Sequence, residues 1–390
     1  MTTFKQSDLL KSLPKQFFAS LVQKVNKVKT EGHDVINLGQ GNPDQPTPRH
    51  IVDRLKQAAE NPKNHKYPPF SGKSELKRAA AEFYQREYGV HLDPEKEIAI
   101  LFGGKTGLVE LPQCLLNPGD IMLVPDPGYP DYWSGAALAK VHMEMMPLKE
   151  KNHFLPLLSD IPSEIADKAK MMILNYPNNP TGAVATKEFF EETAEFASSR
   201  DICVVHDFAY GGIGFDGKKP VSFLQVEGAK ETGIEIYTFS KTFNMAGWRV
   251  AFAAGNASAI EAINLLQDHI YVSIFGAIQD AAAEALLSSQ QAAQEINNVY
   301  EKRRNVLISG LQEIGWNVKA PQGSFFAWLK VPSGFTSQQF SDLLLEKAHV
   351  AVAPGIGFGK HGEGYVRVGL LTSEQRLQEA VNRIKSLGIF

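Results

Sequence analysis

The sequence predicts an α/β protein: a mostly parallel mixed sheet flanked by helices forms a large unit, and both chain ends build a smaller α+β unit. Three observations lead there. Apolar bursts of strand length alternate with amphipathic stretches of helix length. Several bursts are continuously apolar, as strands must be when helices cover both faces of a sheet. After about residue 288 the texture changes to short strands and helices.

In chain order, residues 1–45 come first, rich in Gly and Pro near 39–48 and unlike either of the later parts, so they are expected to fold against the C-terminal tail. A helix is expected over 74–88, then a strand at 98–102 (IAILF) and a helix at 105–116. Strands come next at 121–124, 143–147 and 171–174, a helix at 186–199, and strands at 202–206, 235–239 and 250–254. A helix at 257–268 closes the large unit, which spans 46–288. The tail, 289–390, reads as a long helix at 290–314, strands at 316–319, 325–329, 350–353 and 364–368, and helices at 337–347 and 373–387.

Composition narrows the function class. Forty basic and 43 acidic side chains among 390 residues leave a charge of −3, which gives no electrostatic footprint for nucleic acid or an anionic membrane. The two cysteines, Cys114 and Cys203, sit in apolar surroundings and read as buried thiols of a reducing compartment. The first residues, MTTFKQSDLLKSLPKQFF, lack a signal-peptide core, and no apolar run reaches the roughly 18 residues of a membrane span. A cytoplasmic globular protein is expected.

Five turns that succeed predicted strands carry chemistry. Ser240-Lys241-Thr242 ends the 235–239 strand, and a lysine at the polar end of a buried strand is a candidate Schiff-base nucleophile. Arg249, with Thr238 and Ser240, completes a phosphate cup and would depress the lysine's pKa by like-charge repulsion. Gly103-Gly104-Lys105 joins strand to helix, where backbone N–H groups and the helix N-terminus favour an anion. Asp207 and Tyr210 end the 202–206 strand, at the carboxyl edge where α/β sheets bind ligands; a carboxylate there can hold a protonated pyridine nitrogen. His206 beside them reads as a satisfied core histidine. Two prolines stiffen Asn175–Gly182 and present Asn179 as a hydrogen-bond donor, while Pro127–Tyr132 offers aromatics that can stack on a flat ring. Because the five turns lie at successive strand ends, their side chains should converge.

In this order, Asn-Asn-Pro-Thr-Gly (178–182), Asp-x-x-Tyr (207–210), Ser-Lys-x-x-x-x-x-Gly-x-Arg (240–249) and a late Arg367 resemble the class I/II pyridoxal-phosphate aminotransferases of fold type I. The resemblance runs from Leu38–Asp44 to the C-terminal helix. It implies pyridoxal 5′-phosphate as cofactor, held covalently by Lys241, which also moves the Cα proton. Asp207 would pair with the pyridinium nitrogen, Tyr210 and Asn179 would bind the ring oxygen, and Tyr129 would stack on the ring. Gly104, Lys105, Thr238, Ser240 and Arg249 would hold the phosphate. Arg367 would bind the substrate α-carboxylate in bidentate fashion, with Gly39 presenting backbone to the same group. Tyr67, shortly before Gly72, fits the tyrosine that reaches a neighbouring subunit's phosphate, which implies a homodimer with shared sites. Lys105 departs from the small residue many relatives carry.

The segments 39–44, 129–132 and 207–210 are similar to bacterial aminotransferases of methionine salvage, which convert 2-oxo-4-methylthiobutanoate to methionine. Phe17, Phe18, Ile274 and Phe275 are candidate walls of an apolar pocket. No second arginine is evident for a dicarboxylate, and a diaminopimelate or aromatic aminotransferase stays open. A carbon–sulfur β-lyase would use the same residues. A transcription-regulator effector domain would need a basic winged helix, for which there are no spare residues. An oxidoreductase would rest on Gly355-Ile356-Gly357-Phe358-Gly359, which lacks GxGxxG spacing.

Overall fold

The computed structural model describes residues 2–14 and 17–390; Met1, Lys15 and Gln16, which belong to the N-terminal stretch 1–45, lie outside the described residues. Its twelve strands are, in order, β1 (Ile36–Asn37), β2 (Ile98–Leu101), β3 (Ile121–Asp126), β4 (His142–Pro147), β5 (Ala169–Asn175), β6 (Cys203–Asp207), β7 (Gly233–Thr238), β8 (Ala251–Gly255), β9 (Phe326–Lys330), β10 (Val350–Ala351), β11 (Ala353–Pro354) and β12 (Tyr365–Gly369).

Seven of them form one sheet in the order β2-β8-β7-β6-β5-β3-β4. Only β8 runs against its neighbours, so β2, β3, β5, β6 and β7 all end on the same edge. Side chains alternate between two apolar layers. Ile98, Ile100, Met172, Leu174, Val204, Tyr237 and Phe252 enter one, while Ala99, Leu101, Met171, Ile173, Val205, Ile236 and Ala253 enter the other. Both faces are buried, which is why the strands read as continuous apolar runs. The connecting helices carry ordinary stop and start signals. Asn256 accepts from Ser258 and Ala259 at the head of helix Ala257–Ile270, and Gly89 at φ 70 ends helix Ser74–Tyr88.

A second sheet, β11-β12-β9, is antiparallel and has its own core with Ile36, Leu38, Leu307, Leu311, Val366 and Val368. The two-residue β1 pairs in parallel with β10, and helix Phe17–Thr30 buries Leu21 and Val25 against Trp328 and Phe358. The N-terminal segment thus packs on the C-terminal elements. Helix Gln291–Glu313 places Ala293 in the core of the large sheet and Ile296 to Leu311 in that of the small one, so it spans both.

The strand expected at 316–319 is absent. Trp316 and Val318 are buried as the alternation requires, but this stretch joins no ladder: Trp316 Nε1 donates to the Lys330 carbonyl, and its ring stacks on Phe390. Among the described residues four helices of nine residues or more were not anticipated: Phe17–Thr30, Arg49–Ala59, Asp131–Ala139 and Gly276–Leu287, although Arg49–Ala59 is strongly amphipathic. No helix among the described residues is long and apolar enough to cross a membrane.

Candidate active site

The turns after β2, β3, β5, β6 and β7, together with β12, enclose a cavity of about 300 Å³. Its lining includes Gly104, Lys105, Tyr129, Asn179, Asp207, Tyr210, Thr238, Ser240, Lys241, Arg249 and Arg367, so eleven residues singled out from sequence meet around one space. Gly39 stands just behind the wall, where its carbonyl accepts from Arg367 Nη2 at 2.9 Å.

One end of the cavity is built for an anion. Helix Gly104–Leu115 points its N-terminus there, with the N–H groups of Gly104 and Lys105 and the positive end of its dipole. Gly103 has φ 90, and a Cβ there would fall 2.4 Å from Arg249 Nη2, so only glycine lets the guanidinium lie against this turn. Thr238 Oγ1 donates to Ser240 Oγ at 2.9 Å, which places both hydroxyls on the same side. Lys105 presents its backbone here, whereas its Nζ pairs with Asp131 at 2.9 Å. That pair ties helix Gly104–Leu115 to the turn that carries Tyr129.

Lys241 succeeds β7 on the one-turn helix Phe239–Thr242, and its Nζ donates to the Gly41 carbonyl at 3.0 Å. Burial lowers its pKa to about 8, helped by the positive charges of Arg367 and Arg249. Asp207 closes β6. Burial pushes its pKa up, while a hydrogen bond from Tyr132 Oη to Oδ2 at 2.7 Å and the nearby His206 pull it back. His206 itself points away from the cavity. Its Nδ1 lies 2.7 Å from Glu235 Oε2, and both side chains are fully buried.

The Asn175–Gly182 loop is held from beneath. Asn175 Nδ2 donates to the Asp207 carbonyl at 2.7 Å, and its Oδ1 accepts from the Asn179 N–H at 2.8 Å. Asn179 Oδ1 then accepts from Arg367 Nη1 at 2.9 Å. Arg367 is 2% exposed, its Nε has no partner, and its guanidinium carbon lies 3.9 Å from the Phe326 ring centroid, 4.7 Å from Phe358 and 5.1 Å from Phe18. Among the described residues no carboxylate lies within ion-pair distance of it. A cation buried this deeply is costly unless an anion meets it, so its chemistry calls for a carboxylate ligand.

Not every expectation gathers here. Tyr67 is 87% exposed and does not line the cavity of its own chain. Of the four candidate pocket walls only Phe18 does: Phe17 packs on Gly357, Ile274 belongs to the core, and Phe275 is exposed at the head of helix Gly276–Leu287. Sequence reasoning missed several residues, among them Gly41, whose carbonyl accepts from Lys241 Nζ, and the lining residues Ala209 and Ala246. Leu108 and Phe326 line the cavity, and Tyr132 holds Asp207. Tyr132 lies in the same turn as Tyr129, but nothing in the sequence says which of the two phenols reaches the carboxylate.

The family model for aminotransferase class I and II matches residues 33–384. The chain is 70% identical to the L-glutamine–4-(methylsulfanyl)-2-oxobutanoate aminotransferase of Bacillus subtilis, over 99% of this chain and 97% of that one. It is 46% identical to the LL-diaminopimelate aminotransferase of Moorella thermoacetica, over 96% of each chain. The substrate-bound structure of BacF from Bacillus subtilis superposes with a TM-score of 0.94 at 49% identity, covering 99% of this chain and 98% of that one.

Proposed function

The chain belongs to the class I and II aminotransferases, and from that membership we propose that it uses pyridoxal 5′-phosphate to carry an amino group from L-glutamine to 4-(methylsulfanyl)-2-oxobutanoate, giving methionine. The observation that carries it is the convergence on one cavity of an amine, a carboxylate and a buried guanidinium that has no carboxylate partner among the described residues.

The residues fit the cofactor. The Gly104 helix N-terminus, Thr238, Ser240 and Arg249 would hold its phosphate, Asp207 its ring nitrogen, Asn179 and Tyr210 its ring oxygen, and Tyr129 its face. When bound, pyridoxal phosphate supplies the electron sink that stabilises negative charge at the substrate Cα. The chain supplies the rest. Lys241, with a pKa of about 8, would accept the proton from the substrate Cα and deliver it to the cofactor carbon on the other side of the amino nitrogen. Arg367 and Asn179 orient the α-carboxylate, and the apolar wall of Phe18, Leu108 and Phe326 excludes water around the reacting carbon. The amino group is parked between two half-reactions, so the kinetics are ping-pong.

The same wall supports a thioether side chain. Of the four cations on the lining, Lys241 and Arg367 serve the reaction, Arg249 stands at the anion end, and Lys105 is neutralised by Asp131. Among the described residues none is left for a distal carboxylate. We further propose a cytoplasmic homodimer in which Tyr67 reaches the partner's phosphate site, and a division into a cofactor unit (46–288) and a smaller unit (1–45 with 289–390). Exposed Tyr67 and Phe70, 87% and 55% accessible, support the first; two apolar cores, one on each sheet and joined by residues such as Tyr210 and Ala293, support the second.

Arg367→Lys tests the site directly. A single ammonium cannot replace the planar fork, so KM for amino acids should rise about tenfold or more. A kinetically silent Arg367→Lys would remove this residue from the carboxylate site.

A further inference from the structure

The glycine-rich run 355–359 matches no nucleotide fingerprint, yet each of its three glycines is demanded by a contact. A Cβ on Gly355 would lie 1.9 Å from the Gly362 carbonyl oxygen, and one on Gly357 would lie 2.3 Å from the Phe17 ring. Gly359 has φ 127, and a Cβ there would lie 2.0 Å from Asp126 Oδ1. The run is therefore folded so tightly that residues 359–361 touch the end of β3, although the two segments stand 235 residues apart.

The contact is specific. Asp126, the last residue of β3, is 3% exposed. Its Oδ1 accepts the His361 backbone N–H at 3.1 Å, and its Oδ2 lies 2.7 Å from His361 Nδ1. Two residues on, the Gly128 N–H donates to the Phe358 carbonyl at 2.8 Å. On one side of this joint the chain continues into Tyr129, on the cavity wall. On the other side stand Phe358, whose ring lies 4.7 Å from the Arg367 guanidinium carbon, and β11, which pairs Ala353 with Arg367.

We propose that the turn 355–362, through the His361–Asp126 contact, is a joint that sets the distance between Arg367 and the Tyr129 turn, which makes His361 a positioning residue for substrate carboxylate binding. The inference rests on Arg367 as the carboxylate site. His361 is not among the residues that line the cavity, and its hydrogen bonds go to Asp126 rather than to Arg367. It acts by fixing two walls that belong to different sheets, so loosening it moves Arg367 off the geometry a bidentate carboxylate contact needs and weakens binding.

Three variants test it by steady-state kinetics with methionine as amino donor. His361→Leu removes the donor at similar size, and Gly359→Ala forces the turn off Asp126. Each should raise KM about tenfold while kcat stays within about twofold. His361→Asn carries its amide nitrogen close to the position of Nδ1 and should restore KM to within about threefold of the parent value. The proposal is overturned if His361→Leu leaves KM unchanged, if it lowers kcat at constant KM, or if His361→Asn is as impaired as His361→Leu. Should His361→Leu fold poorly, the comparison of His361→Asn with Gly359→Ala decides alone. Arg367→Lys runs in parallel: if it is silent while His361→Leu raises KM, the carboxylate reading fails and the joint serves some other contact.

Discussion

Lys241 is ordinary in composition and unusual in placement. A lysine on a surface titrates near 10.5, whereas burial and two neighbouring guanidinium groups hold this one at about 8. Only the neutral amine captures an aldehyde. Below pH 8 the side chain is mostly charged and above it mostly neutral, so capture of pyridoxal phosphate by the apoenzyme should speed up with pH and level off above about 8. Stopped-flow absorbance against pH checks this; a midpoint near 10.5 would mean an unperturbed lysine. Lys241→Ala should bind the cofactor without the yellow colour and show no turnover. Asp207→Ala should keep the cofactor yet lose about 10²–10³ in kcat, the usual cost of one preorganised electrostatic group. Tyr132→Phe tests the hydrogen bond behind it: contacts to charged groups are worth about 1.5–3 kcal/mol, so kcat should fall about tenfold or more. Near-parent turnover in either variant would reduce that pair to a structural contact.

At the scale of elements, position is set by close packing. Helix Gly104–Leu115 can aim its N-terminus into the cavity because Gly107 lets it approach β2 and β7: a Cβ there would sit 2.7 Å from Leu101 Cδ1 and 3.1 Å from Ile236 Cδ1. Gly107→Ala should therefore cost about 1–3 kcal/mol of stability by overpacking and weaken cofactor retention as the helix lifts. Denaturant unfolding and dialysis against buffer measure both, and an unchanged midpoint would show that the contact relaxes freely. The strands and their turns were legible in the sequence because both faces of the sheet are apolar and Gly, Pro and Asn punctuate its edge. Tyr132, Leu108 and Phe326 were not, because their roles depend on which way a helix or strand rotates toward partners far away in sequence. The segment 316–319 shows the converse failure. Its alternation is real, with Trp316 and Val318 each 4% exposed, but alternation reports burial and cannot supply a partner strand.

For the whole molecule, the site is made of segments that lie far apart in the chain. Gly39 and Arg367 meet across 328 residues, and Lys241 touches Gly41 across 200. Residue order is thus a poor guide to who meets whom, while the set of strand ends is a good one. The proposed dimer extends this logic between chains. Mixing Tyr67→Ala with Lys241→Ala subunits should create hybrids with one intact site each; with random pairing, half of the dimers are hybrids and about a quarter of full activity returns. Activity no higher than that of the Tyr67→Ala parent alone would mean that each chain works by itself. The central claim, that this cavity transaminates amino acids with apolar or amide side chains, is tested most directly by a half-reaction screen. Amino acids are mixed one at a time with the yellow holoenzyme and the visible band is tracked without any acceptor. Methionine and glutamine should bleach the band in a single stoichiometric turnover, which 4-(methylsulfanyl)-2-oxobutanoate then reverses. Continuous keto-acid release without acceptor, or no bleaching by any amino acid, would contradict the account.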